Sequence, residues 1–248
     1  MKILFNDILA DCIVSANNTD TNFPTSNLAH PFLRRRWQST TNTDTITIEP
    51  PFSAEITGVY LSYTNATSAS IVIYGLNTIG YGGYDIGFNS GDILGIDSTD
   101  AGASIPIVEA VHVDSLFSKI ELTMTAPVGS ALYLGKVALG VESTIDPPES
   151  FWQETFEDKS IISISEAGQV LQEFNEPLRV WQFNFPTLDR DETRALQDSY
   201  RQTGVGKPIF VDPMTDDLPV LYCRLSNPMS SDKNKRQYKT NLNFIEAR

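Results

Sequence analysis

The sequence predicts a mainly β protein: an amino-terminal β-sandwich or jelly roll, then an α+β domain with one main helix. Three observations predict it. Short alternating apolar segments recur through the first half, separated by turn residues. In Ile145-Asp-Pro-Pro-Glu149 two prolines break any strand and stiffen a link. Beyond that link, one stretch from Asp189 to Gly204 joins helical spacing to start and stop signals. The 248 residues therefore divide into two expected domains, 1–145 and 150–248.

The first strand candidates follow a polar, turn-rich run, Asn17 to Gln38. They are Thr45–Glu49, Glu55–Thr64, Ala69–Gly75, Ile105–Val113, Ser118–Thr125 and Ala131–Val141. Four of them carry the period of two that a half-buried strand needs: Ile46 with Ile48, Ile71 with Ile73, Ile120 with Leu122 and Met124, and Leu132 with Leu134. Asn77 to Ser104 is rich in Gly, Asp and Ser and reads as long surface loops.

In the second domain, Ile161–Ser165 and Gln169–Phe174 flank a Glu166-Ala167-Gly168 turn. Leu178–Phe185 alternates, with Trp181, Phe183 and Phe185 on one face. Asp189 is placed to cap the next helix, with Glu192 in the capping-box position. Leu188, Ala195, Leu196, Ser199 and Tyr200 are expected to share its buried face. Gly204 and Gly206 end it, and Lys207–Val211 returns as a strand. Leu178–Val211 thus reads as one α+β nucleus. Val220–Leu225 and Gln237–Ala247 close the domain around a polar, basic Ser226–Arg236 loop.

The formal charge is −13, and it is uneven. Residues 1–150 hold 16 acids against 6 bases; residues 151–248 hold 15 against 12. Such acidity argues against nucleic acid and anionic membrane surfaces as partners, because both need clustered Lys and Arg. No apolar run reaches the ~18 residues of a membrane span. The amino terminus is apolar but is broken by Asn6, Asp7 and Asp11, so no signal peptide is expected. Cys12 and Cys223 form neither a disulfide framework nor a zinc site.

Catalytic machinery is not legible. There is no nucleophile elbow, phosphate loop or dinucleotide fingerprint. Glycoside hydrolysis needs two carboxylates about 5–10 Å apart, and no acid here sits in an apolar context that would raise its pKa. His30 and His112 lack metal-ligand spacing, so structural roles are expected, with no metal and no cofactor. Asp85, Asp92, Asp97 and Asp100 share a loop region without an EF-hand pattern and read as solvated acids. Tyr81, Tyr84 and Phe88 are aromatic on that same polar region. They either offer a stacking surface to a sugar or pack the loop onto the sandwich. Trp37, beside Arg34, Arg35 and Arg36, is expected in the core. Lys233, Lys235 and Arg236 form a basic cluster, either an assembly contact with an acidic neighbour or a solvated hairpin loop.

Two motif sets carry a resemblance. Asn22-Phe-Pro-Thr-Ser-Asn-Leu-Ala-His-Pro-Phe-Leu-Arg-Arg-Arg-Trp-Gln-Ser39 and the closing Leu132-Tyr-Leu-Gly-Lys-Val-Ala-Leu-Gly140 resemble the opening and last strands of galactose-binding-like β-sandwiches. The Trp181-x-Phe183-x-Phe185 strand, the helix, the Gly/Lys-Pro break and the late Phe244-Ile-Glu246 resemble carboxy-terminal domains of tailed-bacteriophage tail proteins. Their order is similar to that of distal-tail and tail-tip (baseplate) structural proteins. That resemblance implies a non-enzymatic virion component, made in the host cytoplasm and placed in the tail. It implies a homo-oligomeric ring, a hexamer being favoured, in contact with other tail proteins. The alternative it leaves open is a host-adsorption module that binds a cell-surface glycan.

Overall fold

The computed structural model describes residues 1–33, 35–76, 85–89, 108–145, 152–158, 160–164, 170–173, 177–214, 220–226, 230–234 and 237–247. In chain order the strands are β1 (Lys2–Leu4), β2 (Ile13–Ala16), β3 (Trp37–Gln38), β4 (Thr43–Glu49), β5 (Ala54–Thr64), β6 (Ser68–Leu76), β7 (Asp85–Asn89), β8 (Val108–Thr125), β9 (Tyr133–Gly140), β10 (Ser143–Thr144), β11 (Trp152–Glu157), β12 (Ile161–Ile164), β13 (Val170–Glu173), β14 (Leu178–Leu188), β15 (Ile209–Asp212), β16 (Leu221–Leu225), β17 (Ser230–Asn234) and β18 (Gln237–Glu246). The helix α1 (Arg190–Thr203) lies between β14 and β15 in the chain. The protein is mainly β, with a sandwich and one main α-helix, as the alternating pattern predicts. Among the described residues no helix is long and apolar enough to cross a membrane.

The chain forms two compact units. One holds Met1–Thr144 with Ile209–Tyr222; the other holds Ile145–Pro208 with Cys223–Ala247. The units are therefore not two consecutive stretches, and the segment Leu178–Val211 is not one nucleus. Its elements form where expected, but the return strand β15 belongs to the first unit. The reason is pairing and stacking. β15 pairs antiparallel with β1, Ile3 opposite Val211. Phe210 stacks on Tyr60 at 5.0 Å and lies 4.7 Å from the Tyr222 ring. The Tyr222 hydroxyl donates to the Pro31 carbonyl at 2.7 Å.

In the first unit β8 is shared between two layers. Its early residues pair with β5, Ser62 opposite Val108 through Ala54 opposite Phe117. Its later residues run between β4 and β6, with Leu122 opposite both Ile46 and Ile71. β2 extends the first layer beyond β4, and β9 and β3 extend the second beyond β5. The sequence expects two strands here, Ile105–Val113 and Ser118–Thr125. One continuous strand forms instead: the turn-prone Asp114 falls at a register shift, and the ladder with β5 resumes on either side of it, His112 opposite Gly58 and Ser115 opposite Ile56. Ile46, Ile48, Ile71, Ile73, Ile120, Leu122 and Met124 fill the core from one layer; Ile56, Leu61, Val137 and Leu139 fill it from the other. Trp37 is fully buried with them.

In the second unit β14 pairs with β11 on one side and β18 on the other. β18 in turn pairs with Cys223–Leu225 of β16 and then with β17. Trp181, Phe183 and Phe185 are buried on one face together with Leu242 and Phe244. The helix start is as predicted: Asp189 accepts from the amides of Asp191 and Glu192, and Glu192 accepts from the Asp189 amide at 2.9 Å. Gly204 ends it at φ 64°. The buried helix face differs from the predicted one. Thr193, Leu196 and Thr203 are buried, Ser199 and Tyr200 are half-buried, and Ala195 is exposed. Leu188 is buried as the last residue of β14, so it sets no helical row. Ser226–Arg236 is not simply a loop. Ser230–Asn234 forms β17, Lys233 standing opposite Tyr238.

Candidate functional site

The first unit presents an aromatic and basic surface where β3, β5 and β9 meet. Trp37 anchors it. Its indole is buried, its Nε1 donates to Thr19 Oγ1 at 3.2 Å, and its backbone pairs with Leu134. The residue before it, Arg36, leaves the core and lays its guanidinium over the Tyr133 ring, 4.4 Å from the centroid. The Phe23 ring is 5.6 Å from the same group. Two bonds set the arginine: the Asn27 side-chain amide donates to the Arg36 carbonyl at 3.0 Å, and Arg36 Nη2 donates to Gln38 Oε1 at 3.3 Å.

Tyr133 is held as firmly. Its amide donates to Asn65 Oδ1 at 2.9 Å, and its carbonyl accepts from Thr64 Oγ1 at 2.7 Å. Tyr63 stands beside it, ring centroids 5.6 Å apart. Tyr63 has φ 60°, a left-handed conformation that costs a non-glycine residue roughly 1–2 kcal/mol. The neighbouring strand accommodates it with Gly135, where a Cβ would fall 2.9 Å from Tyr63 Cβ and 3.0 Å from the Leu33 carbonyl. Both tyrosines and Arg36 are half-buried, so each keeps an accessible part. Burial, and then the neighbouring Tyr63, hold the Tyr133 phenol above its ordinary pKa; Arg36 opposes this. Its hydroxyl is thus a neutral donor near pH 7.

Lys136 forms an ion pair with Asp7 at 2.8 Å. Asp7 also accepts from the Leu9 and Leu139 amides, so its charge is fully used. His30 accepts a bond from the Phe32 amide at 3.2 Å and is held below its ordinary pKa by burial, then by the charges of Arg35 and Lys136.

A second polar cluster is closed to solvent. The Tyr60 hydroxyl donates to the buried Glu142 carboxylate, Lys2 lies 3.5 Å from its other oxygen, and the Glu142 amide donates to Thr57 Oγ1 at 2.7 Å. Burial, then Glu142, push the Tyr60 phenol far up. Gly58 leaves room for the pair, since a Cβ there would press on the Glu142 carboxylate and the Tyr60 ring. No substrate reaches this cluster; it ties β1 and β5 together.

Of the residues singled out from sequence, Tyr81 and Tyr84 lie outside the described residues. Phe88 lies in β7 with its backbone opposite Ile73. Asp85 is also in β7, while Asp92, Asp97 and Asp100 lie outside. Lys235 and Arg236 are likewise outside, and only Lys233 is placed, in β17. Among the described residues no group of three or more His, Cys, Asp or Glu could hold a metal ion. Both cysteines are free, the Cys12 thiol pushed up to about 11 by burial, then by Asp7 and Asp11, and Cys223 well above its usual value by burial. Neither is a thiolate near neutral pH. Sequence reasoning missed Arg36, Tyr63 and Tyr133 as a group. Their one local signal is a tyrosine breaking the apolar end of β5, and only the strand register joins it to the other two.

No family model matches the sequence, and no curated protein matches it. Solved structures similar to it include the family 32 carbohydrate-binding module from C. perfringens NanJ in complex with galactose, 12% identical over 56% of this chain and 98% of that chain, TM-score 0.37. CpGH89CBM32-5 from Clostridium perfringens, in complex with GalNAc-β-1,3-galactose, is 11% identical over 54% of this chain and 99% of that chain, TM-score 0.39. Reduced XRCC1 bound to the DNA polymerase β catalytic domain is 14% identical over 51% of this chain and 93% of that chain, TM-score 0.38. The likeness is one of shape over about half of this chain.

Proposed function

We propose that the chain is a non-enzymatic carbohydrate-binding protein and that its first unit holds a sugar on the surface of Arg36, Tyr63 and Tyr133. One observation carries this reading: two half-exposed tyrosine rings and a stacked guanidinium are held rigidly on adjacent strands. The apolar face of a sugar ring stacks on such rings, and its hydroxyls take the planar donors beside them. Rigid placement lowers the ordering cost of binding. Tyr63→Gly tests it. The ring goes, while the left-handed backbone is relieved, so the melting temperature is expected to stay within a few degrees. Glycan-array and calorimetric binding is expected to fall at least about tenfold, the loss of one good stacking contact. Unchanged binding by this variant removes the surface from the function.

A second reading has its own observation, in the second unit. All six residues of β11 are exposed. It pairs with β14 and, among the described residues, with no other strand. Trp152 and Phe156 are 36% and 66% exposed, and they stand opposite Phe183 and Arg179 on the same face as the buried aromatic rows. Its described residues contain no proline, lysine or bulge to block pairing, as edges ordinarily do. We propose that this edge pairs antiparallel with the same edge of a second copy, Trp152 against Phe156, in a self-assembling structural protein. The virion tail location and the neighbouring tail proteins belong to this reading through the sequence resemblance; this edge contact makes a twofold pair, and the ring that the resemblance implies needs a second, heterologous contact. The double substitution Trp152→Lys, Phe156→Lys is expected to raise the self-association Kd at least tenfold, roughly 1.4 kcal/mol, in light scattering. A wild-type protein that stays monomeric at high concentration defeats it.

A further inference from the structure

We infer that the sugar taken by the Arg36–Tyr63–Tyr133 surface is an acidic one, whose carboxylate the Arg36 guanidinium grips while the sugar ring lies on the tyrosines. This rests on the carbohydrate-binding reading and narrows it to a ligand class. The first observation is where the positive charge sits. Residues 1–150 have 16 acids and only 6 bases. Of those six, Arg36 sits on this surface, its guanidinium 4.4 Å from the Tyr133 ring centroid.

The second observation is how the nearby acids are used. Asp7 is consumed by Lys136 and two backbone amides. Asp20 accepts from the Asn22 amide at 2.8 Å. Arg36 has no carboxylate partner among the described residues. Its guanidinium donates to the neutral Gln38 amide oxygen. A guanidinium has five N–H donors, so most of the fork remains for a ligand. Stacking on Tyr133 fixes its plane, and a planar fork on a fixed plane suits a carboxylate far better than a hydroxyl. A neutral sugar would leave this charge without a counterion; a uronate or a sialic-acid-type sugar supplies one.

The test is a matched titration by calorimetry on the full chain. Digalacturonate is compared with digalactose, and N-acetylneuraminyl-lactose with lactose. Wild-type protein is expected to bind the acidic member of at least one pair about tenfold or more tightly, the difference a charge-assisted bidentate contact supplies. Which pair responds separates uronates from sialic-acid-type sugars. In Arg36→Gln the acidic-to-neutral ratio is expected to collapse toward one. In Arg36→Lys, which keeps the charge without the fork, the ratio should lie between the two. Melting curves of both variants establish that they are folded. Equal binding of acidic and neutral members by wild type overturns this inference and leaves the carbohydrate reading standing. A ratio that survives Arg36→Gln also overturns it. Absence of binding to every probe removes both.

Discussion

Trp181→Ala is expected to destabilise the second unit by about 3–5 kcal/mol, the range for truncating a buried aromatic. Trp181 sits at the middle of β14, the strand paired on both sides, and is almost wholly buried. It stands opposite Phe244 of β18, which packs edge-on against Phe183 at 5.7 Å. Removing the indole opens a cavity at the centre of this aromatic face, and paired strands on either side cannot close over it. Because the chain has two units, one melting temperature would average two transitions. Hydrogen exchange resolves them. Amides of β14 and β18 are expected to lose protection by about two to four powers of ten, the factor those energies convert to, and amides of β4 and β8 to keep theirs. Trp181→Phe should recover most of the loss. Unchanged protection in Trp181→Ala would mean this face is not what holds the unit together.

The largest effect expected in the first unit comes from a charge. Asp44 is buried, and its carboxylate accepts from the amides of Asn17, Asn18 and Thr45, at 3.2, 3.0 and 2.7 Å, and from Ser39 Oγ at 2.7 Å. It joins the turn before β4 to the polar run after β2, and so supports the approach to Trp37. Asp44→Ala leaves those donors without an acceptor inside the fold. Each unsatisfied buried donor costs roughly 1–3 kcal/mol, and partial access of water relieves some of them, so a net loss of about 3–4 kcal/mol is expected. Asp44→Asn keeps one acceptor oxygen and should lose less. Hydrogen exchange at the β4 and β8 amides, which belong to the first unit, measures both. If Asp44→Ala and Asp44→Asn are equally stable, the carboxylate network is not what orders this corner.

The strands most legible in the sequence are those that carry their own apolar row. Ile46 and Ile48, Ile71 and Ile73, and Trp181 to Phe185 all announce their buried face before any partner is known. The capping box at Asp189 and Glu192 is equally local, because its bonds close within four residues. β11 and β17 were not legible. Trp152-Gln-Glu-Thr-Phe-Glu157 and Ser230-Ser-Asp-Lys-Asn234 show little alternation, and they are strands because β14 and β18 offer them a ladder. β1 is three residues long and is likewise created by its neighbours β10 and β15.

What the sequence determines by itself is therefore the set of amphipathic strands, the one capped helix and the mainly β class. Periodicity and capping depend on residues close together in the chain. The tertiary structure decides membership and juxtaposition. It assigns Ile209–Tyr222 to the first unit through the Phe210 stack on Tyr60, and it keeps β8 as one strand across two layers. It also brings Arg36 over Tyr133 and sets Tyr63 against Gly135. Those contacts depend on register between strands far apart in the chain, and a shift of one residue would send each side chain to the opposite face.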